Sequence, residues 1–280
     1  MLKIDFNSGW KFKKEGGEYR TVQLPHDAMI VEERRPDAPG GSGSAFHMGG
    51  IYEYEKEFFL KDDVWDKWIG FYFEGVYQNA TVWINGKKAA FHAFGYTGFL
   101  VNGDKLLKIG EKNRISVRVD NSKLPNSRWY TGSGIYRPVK LLIAERIHIK
   151  HQSIRVTTKS IHTGEIEIQA EIINKSEEVI STGVRFDILD AENKVVNSST
   201  VQLKIENGQR KKIESHVEVK NAKLWTEKTP YLYRCNIYLD GRFDETVRFG
   251  IRTISCDSKN GFCINGKEVK LKGACIHSDN

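Results

Sequence analysis

The sequence predicts an all-β protein, and three observations support this. Apolar and polar residues alternate along many short runs, as they do in strands with one buried face. Turn-forming dipeptides separate these runs: Asn85-Gly86 follows Thr81–Ile84, and Asp240-Gly241 follows Ile237–Leu239. No stretch combines an apolar helical stripe with capping residues, and we expect Asp62–Trp68 to form one short helical turn at most.

The chain of 280 residues is expected to form two sandwich domains. Residues 1–147 contain most of the tryptophans and a long loop, Arg34–Gly50, which is rich in Gly, Pro and Ser. Two antiparallel sheets in a jelly roll suit these strands, and a loop of that length is usually functional or flexible. Residues 148–254 have shorter, more charged strands, such as the alternating run Glu165–Ile172. About seven strands of this kind are typical of an immunoglobulin-like sandwich, here without its disulfide.

Residues 255–280 are expected to begin a third domain. A hairpin is predicted over Ile264–Lys270, and an apolar strand then leads into Gly273. His277 and Asp279 follow at the end of the sequence. This pattern is typical of a strand that feeds an active-site loop, whereas natural C-termini usually end in frayed polar residues. The sequence therefore predicts that the third domain is truncated.

Composition argues against several classes of function. Basic residues (43) outnumber acidic ones (36), but the two kinds are interleaved and no nucleic-acid motif is present, so no nucleic-acid partner is expected. The cysteines form no CxxC pair, and we expect neither a metal site nor another cofactor. No secretory signal and no run of about 18 apolar residues occurs, which predicts a cytoplasmic protein without a membrane partner. The four cysteines are Cys235, Cys256, Cys263 and Cys275.

Five blocks of sequence carry a family resemblance. They are Leu24–Asp27 with Gly50–Phe58; Phe73–Tyr77, Val82–Gly86 and Gly95–Phe99; Asn126–Val139; Leu224-Trp225 with Pro230–Tyr233 and Phe249–Arg252; and Asn265–Lys267 with Lys272-Gly273 and His277. In this order they resemble the front of glycoside hydrolase family 2, the family of β-galactosidases, β-glucuronidases and β-mannosidases. The block around Ser127–Arg137 is most similar to the β-galactosidase branch.

The resemblance implies a jelly-roll sugar-binding-type domain, an immunoglobulin-like domain and a catalytic (β/α)₈ barrel, of which this chain holds only the first strand. Retaining glycosidases use two carboxyl groups about 5–5.5 Å apart. In this family both are glutamates on barrel strands beyond residue 280, and no acidic residue here matches their motifs. We therefore expect no catalytic residue in this chain and no activity from it alone.

The resemblance also implies which residues contact the sugar. A loop of the first domain reaches the barrel mouth in related enzymes, and by position it corresponds here to Asn126, Arg128 and Trp129. Arg128 is the leading candidate because a guanidinium holds hydroxyls or a carboxylate in fixed geometry. The alternative is a structural arginine that pins the turn before Gly132. Better-studied members of the family carry an aspartate near this position, and Trp129 is the ring expected nearest a binding surface.

Two further candidates lie at the end of the sequence. His277 matches a family histidine at the end of the first barrel strand, the catalytic end of such a barrel. Its imidazole is expected to donate to a sugar hydroxyl, and Asp279 is expected to orient it or to contact the sugar.

The leading hypothesis is an N-terminal fragment of a retaining β-galactosidase-like enzyme that hydrolyses terminal β-linked sugars. A β-glucuronidase or β-mannosidase parent is the nearest alternative. Two hypotheses concern other classes of protein: a standalone lectin-like module, and a scaffold for homo-oligomer assembly. A downstream barrel with paired glutamates, or micromolar binding of galactose by the chain alone, would separate the enzyme from the lectin.

Overall fold

The computed structural model of the protein describes residues 1–275, which divide into two compact units, Leu2–Ile143 and Ala144–Ala274. Each unit is built from antiparallel strands, so the predicted all-β class is confirmed. Helical structure within the described range is limited to two short 3₁₀ turns, Gly41–Ser44 and Asp62–Val64. The second is the single helical turn predicted for that region.

The first unit is a two-sheet sandwich. Its strands are β1 (Leu2–Asp5), β2 (Trp10–Lys14), β3 (Arg20–Val22), β4 (Gly50–Phe59), β5 (Trp68–Phe73), β6 (Ala80–Ile84), β7 (Lys87–His92), β8 (Phe99–Asn102), β9 (Lys112–Asn121) and β10 (Val139–Ala144). One sheet has the order β1-β10-β5-β8, and the other has the order β3-β2-β4-β9-β6-β7.

Alternation of side chains along these strands builds the core of the first unit. Tyr52 and Tyr54 of β4 point to the same face as their register partners Val119 and Val117 of β9. These four side chains are buried in one cluster with Phe71 of β5. Burial of a valine or phenylalanine side chain of this cluster contributes about 1.5–3 kcal/mol. The long loop predicted at Arg34–Gly50 is irregular apart from its 3₁₀ turn.

The second unit is also a sandwich, followed by a small sheet. Its strands are β11 (Ile147–Ile149), β12 (Arg155–Ser160), β13 (Glu165–Asn174), β14 (Ile180–Leu189), β15 (Val195–Ile205), β16 (Arg210–Glu218), β17 (Tyr233–Leu239), β18 (Arg242–Phe249), β19 (Ile254–Asp257), β20 (Gly261–Ile264) and β21 (Lys267–Glu268). One sheet centres on β13, which pairs with β11, β12 and β16. The other has the order β15-β14-β17-β18, and β19-β20-β21 form the small sheet.

The turn dipeptides mark chain reversals, but they do not always mark paired strands. Asn85-Gly86, Asp240-Gly241 and Asn265-Gly266 close the hairpins β6–β7, β17–β18 and β20–β21. Both residues of Asn85-Gly86 have positive φ (49° and 79°), as a two-residue hairpin turn requires. Asn207-Gly208 instead joins β15 to β16, which belong to different sheets. Such a dipeptide therefore locates the turn, but it does not determine which strands pair with each other.

Only part of the predicted barrel strand lies within the described residues. Leu271–Cys275 forms no strand, and the residues that would continue it lie outside the described range. The strand therefore stays a prediction. In the part of the chain that the structure describes, no helix is long and apolar enough to cross a membrane.

Candidate functional site

Three of the predicted sugar contacts lie in the irregular segment between β9 and β10 of the first unit. Arg128 is exposed and has no hydrogen bond or ion pair with any residue of the described chain. The side chain of Trp129 is 39% exposed, and its Nε1 donates to Oη of Tyr96 at 3.1 Å. The fold therefore exposes a free guanidinium and an indole ring on consecutive residues.

Asn126, the third of these candidates, is turned partly inward. Its Nδ2 donates to Oδ1 of the fully buried Asn121, 2.5 Å away. Asn121 in turn donates from its own Nδ2 to the carbonyl oxygen of Gly132 at 3.3 Å. Asn126 therefore braces the segment internally. Whether its amide oxygen contacts a sugar stays a prediction.

Asp27 ties this segment to the body of the sandwich. Its Oδ2 accepts a hydrogen bond from Oη of Tyr130 at 2.7 Å. Its Oδ1 accepts from the backbone N–H groups of Met29 (2.9 Å) and Ser133 (3.1 Å). Gly132 has φ of 63°, and a Cβ there would lie 2.7 Å from the Asp27 carboxylate, so glycine is required on both counts. The turn before Gly132 is thus held by Asp27, and Arg128 takes no part in it.

The long loop Arg34–Gly50 supports the same segment through His47. The imidazole of His47 packs on the Tyr130 ring, with the ring centroids 5.2 Å apart, and only 3% of the residue is exposed. Burial, reinforced by the charge of Arg34, lowers the pKa of His47. Burial and the hydrogen bond to Asp27 raise the pKa of Tyr130. At neutral pH His47 is therefore uncharged, and Tyr130 keeps the proton that it donates to Asp27.

Sequence reasoning missed three residues of this region: Asp27, Phe94 and Tyr96. Asp27 accepts a hydrogen bond from Tyr130, Tyr96 accepts one from Trp129, and the ring of Phe94 packs on that of Tyr96. Asp27 and Tyr96 belong to blocks that carry the family resemblance, which was the available signal. The sequence does not indicate that Asp27 would bind a tyrosine 103 positions away. The remaining candidates, His277 and Asp279, lie outside the described residues.

A pair of glutamates in the second unit has the spacing of a metal or catalytic site, although the sequence predicts neither. The ligand atoms of Glu167, Glu214 and His216 lie within 4.8 Å of one another. The hydrogen bond from His216 lowers the pKa of Glu214, and Lys159 pairs with Glu167 at 2.6 Å. A retaining glycosidase needs one carboxyl group with a raised pKa as its acid. Glu214 instead has a lowered pKa and Glu167 is paired with a lysine, so neither has the environment of the acid in such a pair.

The fold and this loop define a two-sandwich β protein that presents an arginine and aromatic side chains from its first sandwich. Comparison with known families gives two matches. The sugar binding domain of glycosyl hydrolases family 2 matches residues 43–145, and a second model of glycosyl hydrolases family 2 matches residues 147–252. The chain belongs to glycosyl hydrolase family 2.

The curated relatives are named for two different activities. A putative β-glucuronidase of Formosa agariphila is 36% identical over 99% of this chain and 28% of its own length. The β-galactosidase BoGH2A of Bacteroides ovatus is 33% identical over 99% of this chain and 34% of its own length. This chain therefore spans about a third of the length of these relatives.

Solved structures agree with this assignment. A glycosyl hydrolase family 2 member from Bacteroides cellulosilyticus is similar with a TM-score of 0.90 and 31% identity, over 99% of this chain and 38% of that one. A β-glycosidase from Bacteroides vulgatus is similar with a TM-score of 0.84 and 28% identity, over 99% of this chain and 37% of that one.

Proposed function

We propose that this chain is the N-terminal, non-catalytic part of a retaining β-glycosidase that removes terminal β-linked galactose. The observation that carries the proposal is the loop with Arg128 and Trp129, two consecutive exposed residues on a segment that Asp27 holds through Tyr130 and Ser133. The loop lies within the match to the family's sugar binding domain, and the chain is similar to enzymes named for β-galactosides and β-glucuronides.

In this proposal the chain shapes the substrate site but performs no chemistry itself. A jelly-roll domain (1–147) supplies the sugar-contacting loop, an immunoglobulin-like domain (148–254) follows it in the chain as a scaffold domain, and residues 255–280 begin the catalytic barrel. His277 and Asp279 would add sugar contacts from the end of the first barrel strand. We place the enzyme in the cytoplasm.

Each exposed side chain has a distinct role at the sugar. Trp129 offers an aromatic face to the apolar C–H face of a pyranose, and its indole N–H is fixed by Tyr96 at 3.1 Å, which sets the ring orientation. Arg128 supplies donors in a planar fork that suits sugar hydroxyls or a carboxylate. Since Arg128 has no competing partner in residues 1–275, binding a sugar would not require breaking an existing ion pair.

A β-glucuronide is the second candidate substrate, and the unpaired guanidinium of Arg128 specifically favours it. Glucuronate differs from galactose by carrying a carboxylate, which an arginine can bind with two parallel hydrogen bonds. Such a charge-assisted contact is about twice as strong as one between neutral groups. A glucuronide enzyme would therefore depend on Arg128 more than a galactoside enzyme would.

The test uses the protein expressed from the open reading frame that encodes this region. Its hydrolysis of p-nitrophenyl β-galactoside and β-glucuronide is measured for the wild type and for Arg128→Ala. Lys123→Ala, an exposed cation on the same segment, is the matched control. We expect turnover of the galactoside, a kcat/KM about tenfold lower in Arg128→Ala, and no change in the control. Turnover of the glucuronide alone would select the second candidate, and turnover of neither substrate would refute both.

A further inference from the structure

An exposed aromatic patch extends the surface around Trp129. It consists of Phe94, Tyr96 and Trp129, which are 58%, 39% and 39% exposed. The rings of Phe94 and Tyr96 lie 5.7 Å apart between centroids and are inclined by 66°. Tyr96 also accepts the indole hydrogen bond of Trp129, so the three side chains are contiguous. Large aromatic side chains grouped in this way on a surface commonly mark a binding site.

The fold holds this aromatic patch rigidly. Gly95, between the two patch residues of its loop, lies against the ring of Tyr77, and any Cβ there would overlap that ring. Its carbonyl oxygen accepts a hydrogen bond from Oη of Tyr136 at 2.8 Å. The loop is also closed by a hydrogen bond of 3.0 Å between His92 Nε2 and Thr97 Oγ1. The exposed rings are therefore positioned before any ligand arrives, which reduces the entropy lost on binding.

The chemistry of the aromatic patch suits carbohydrate. The apolar surface of its three residues is aromatic, and its polar groups are the Tyr96 hydroxyl and the Trp129 N–H. Sugar rings have the complementary character, with apolar C–H faces rimmed by hydroxyls that donate and accept hydrogen bonds. Arg128, the exposed residue that precedes Trp129 in the chain, offers further donors for those hydroxyls. All four residues lie within the match to the sugar binding domain.

We propose that the aromatic patch binds successive units of a β-linked oligosaccharide. The terminal sugar would lie at Arg128 and Trp129, and the following units would cross Tyr96 and Phe94. The natural substrate class would then be an oligosaccharide released from a polysaccharide, because a single sugar with a small leaving group would leave Phe94 uncovered. This proposal rests on the proposed function for its choice of carbohydrate as the ligand.

The test measures glycan binding by the 280-residue chain. Calorimetry with galactose, galactotetraose and tetraglucuronate, together with affinity electrophoresis in β-linked galactan, is applied to wild type, Phe94→Ala and Tyr96→Ala. Trp65→Ala is the matched control, since Trp65 is 76% exposed in the same unit but lies outside the patch. Melting temperatures verify that each variant is folded. We expect a tetrasaccharide to bind more tightly than galactose and each patch variant to weaken its binding about tenfold, with no change in the control.

Three results would overturn the proposal: no binding of either tetrasaccharide, equal binding by Phe94→Ala, or a dimer of the chain that Phe94→Ala dissociates in sedimentation. The last would show that a second copy covers the patch. The hydrolysis assay of the full gene product is independent of these measurements. Tetrasaccharide binding without hydrolysis would leave the aromatic patch as a glycan site and reject the proposed enzyme. Hydrolysis without tetrasaccharide binding would reject the patch alone.

Discussion

Replacing Asp27 with alanine should destabilise the first unit and release the segment that carries Arg128. The change removes the acceptor of three hydrogen bonds, from Tyr130 Oη and from the backbone N–H groups of Met29 and Ser133. A hydrogen bond to a charged group contributes about 1.5–3 kcal/mol. Because Asp27 is only partly buried and water can replace some of these contacts, we expect a total loss of about 4 kcal/mol.

Guanidinium unfolding followed by tryptophan fluorescence suits this prediction, because five of the six tryptophans lie in the first unit. We expect Asp27→Asn to lose about half as much stability, since its amide oxygen can still accept the two backbone hydrogen bonds. Asp37→Ala is the control: Asp37 is exposed and pairs only with the exposed Arg35, so a change below about 0.5 kcal/mol is expected. If Asp27→Ala also stays within about 0.5 kcal/mol of wild type, the bracing role of Asp27 is wrong.

Two further predictions concern the second unit. Hydrogen bonds to Glu214 and Glu165 raise the pKa of His216 above 6.5, so its contribution to stability is complete below pH 6.5 and is lost as the pH rises through the raised value. Unfolding of His216→Gln between pH 5.5 and 8.5 should lack that decline, and an unchanged pH profile in the variant would contradict this assignment. In thiol labelling at pH 8, the exposed Cys256 should react in the folded protein, whereas Cys235, whose pKa burial raises to about 12, should react only after unfolding. Cys275 is exposed as well, so Cys256→Ser should remove one of two fast-reacting thiols, and rapid labelling of Cys235 in folded protein would refute its burial.

Local sequence patterns predicted the strand content but not every strand. Alternation located β13, and the dipeptide Asp240-Gly241 located the β17–β18 hairpin. The sequence analysis did not identify β15 (Val195–Ile205), because both faces of its first half are rich in polar or exposed side chains and the alternation is weak there. Its place is set by long-range pairing with β14, which no local pattern encodes.

The sequence predicted which segment forms the site, but it did not predict the contacts that hold this segment in place. Family-like blocks identified the segment of Arg128 and Trp129, but the residues that hold it come from distant parts of the chain. Asp27 and His47 meet Tyr130 across separations of 103 and 83 positions. Such contacts depend on how two loops lie over one end of a sandwich, and neither composition nor periodicity specifies that.

The hydrogen bonds around Arg128 bear on which of its two predicted roles is correct. A structural arginine would bond to the turn before Gly132, but side-chain hydrogen bonds there come from Asp27, to Tyr130 and Ser133, and from Asn121, to Gly132. Other arginines of the same unit, such as Arg114 and Arg118, pair with carboxylates. Arg128 is exposed without such a partner, so its loss should leave folding stability nearly unchanged while lowering affinity for sugar. A melting temperature of Arg128→Ala several degrees below wild type would instead restore the structural role.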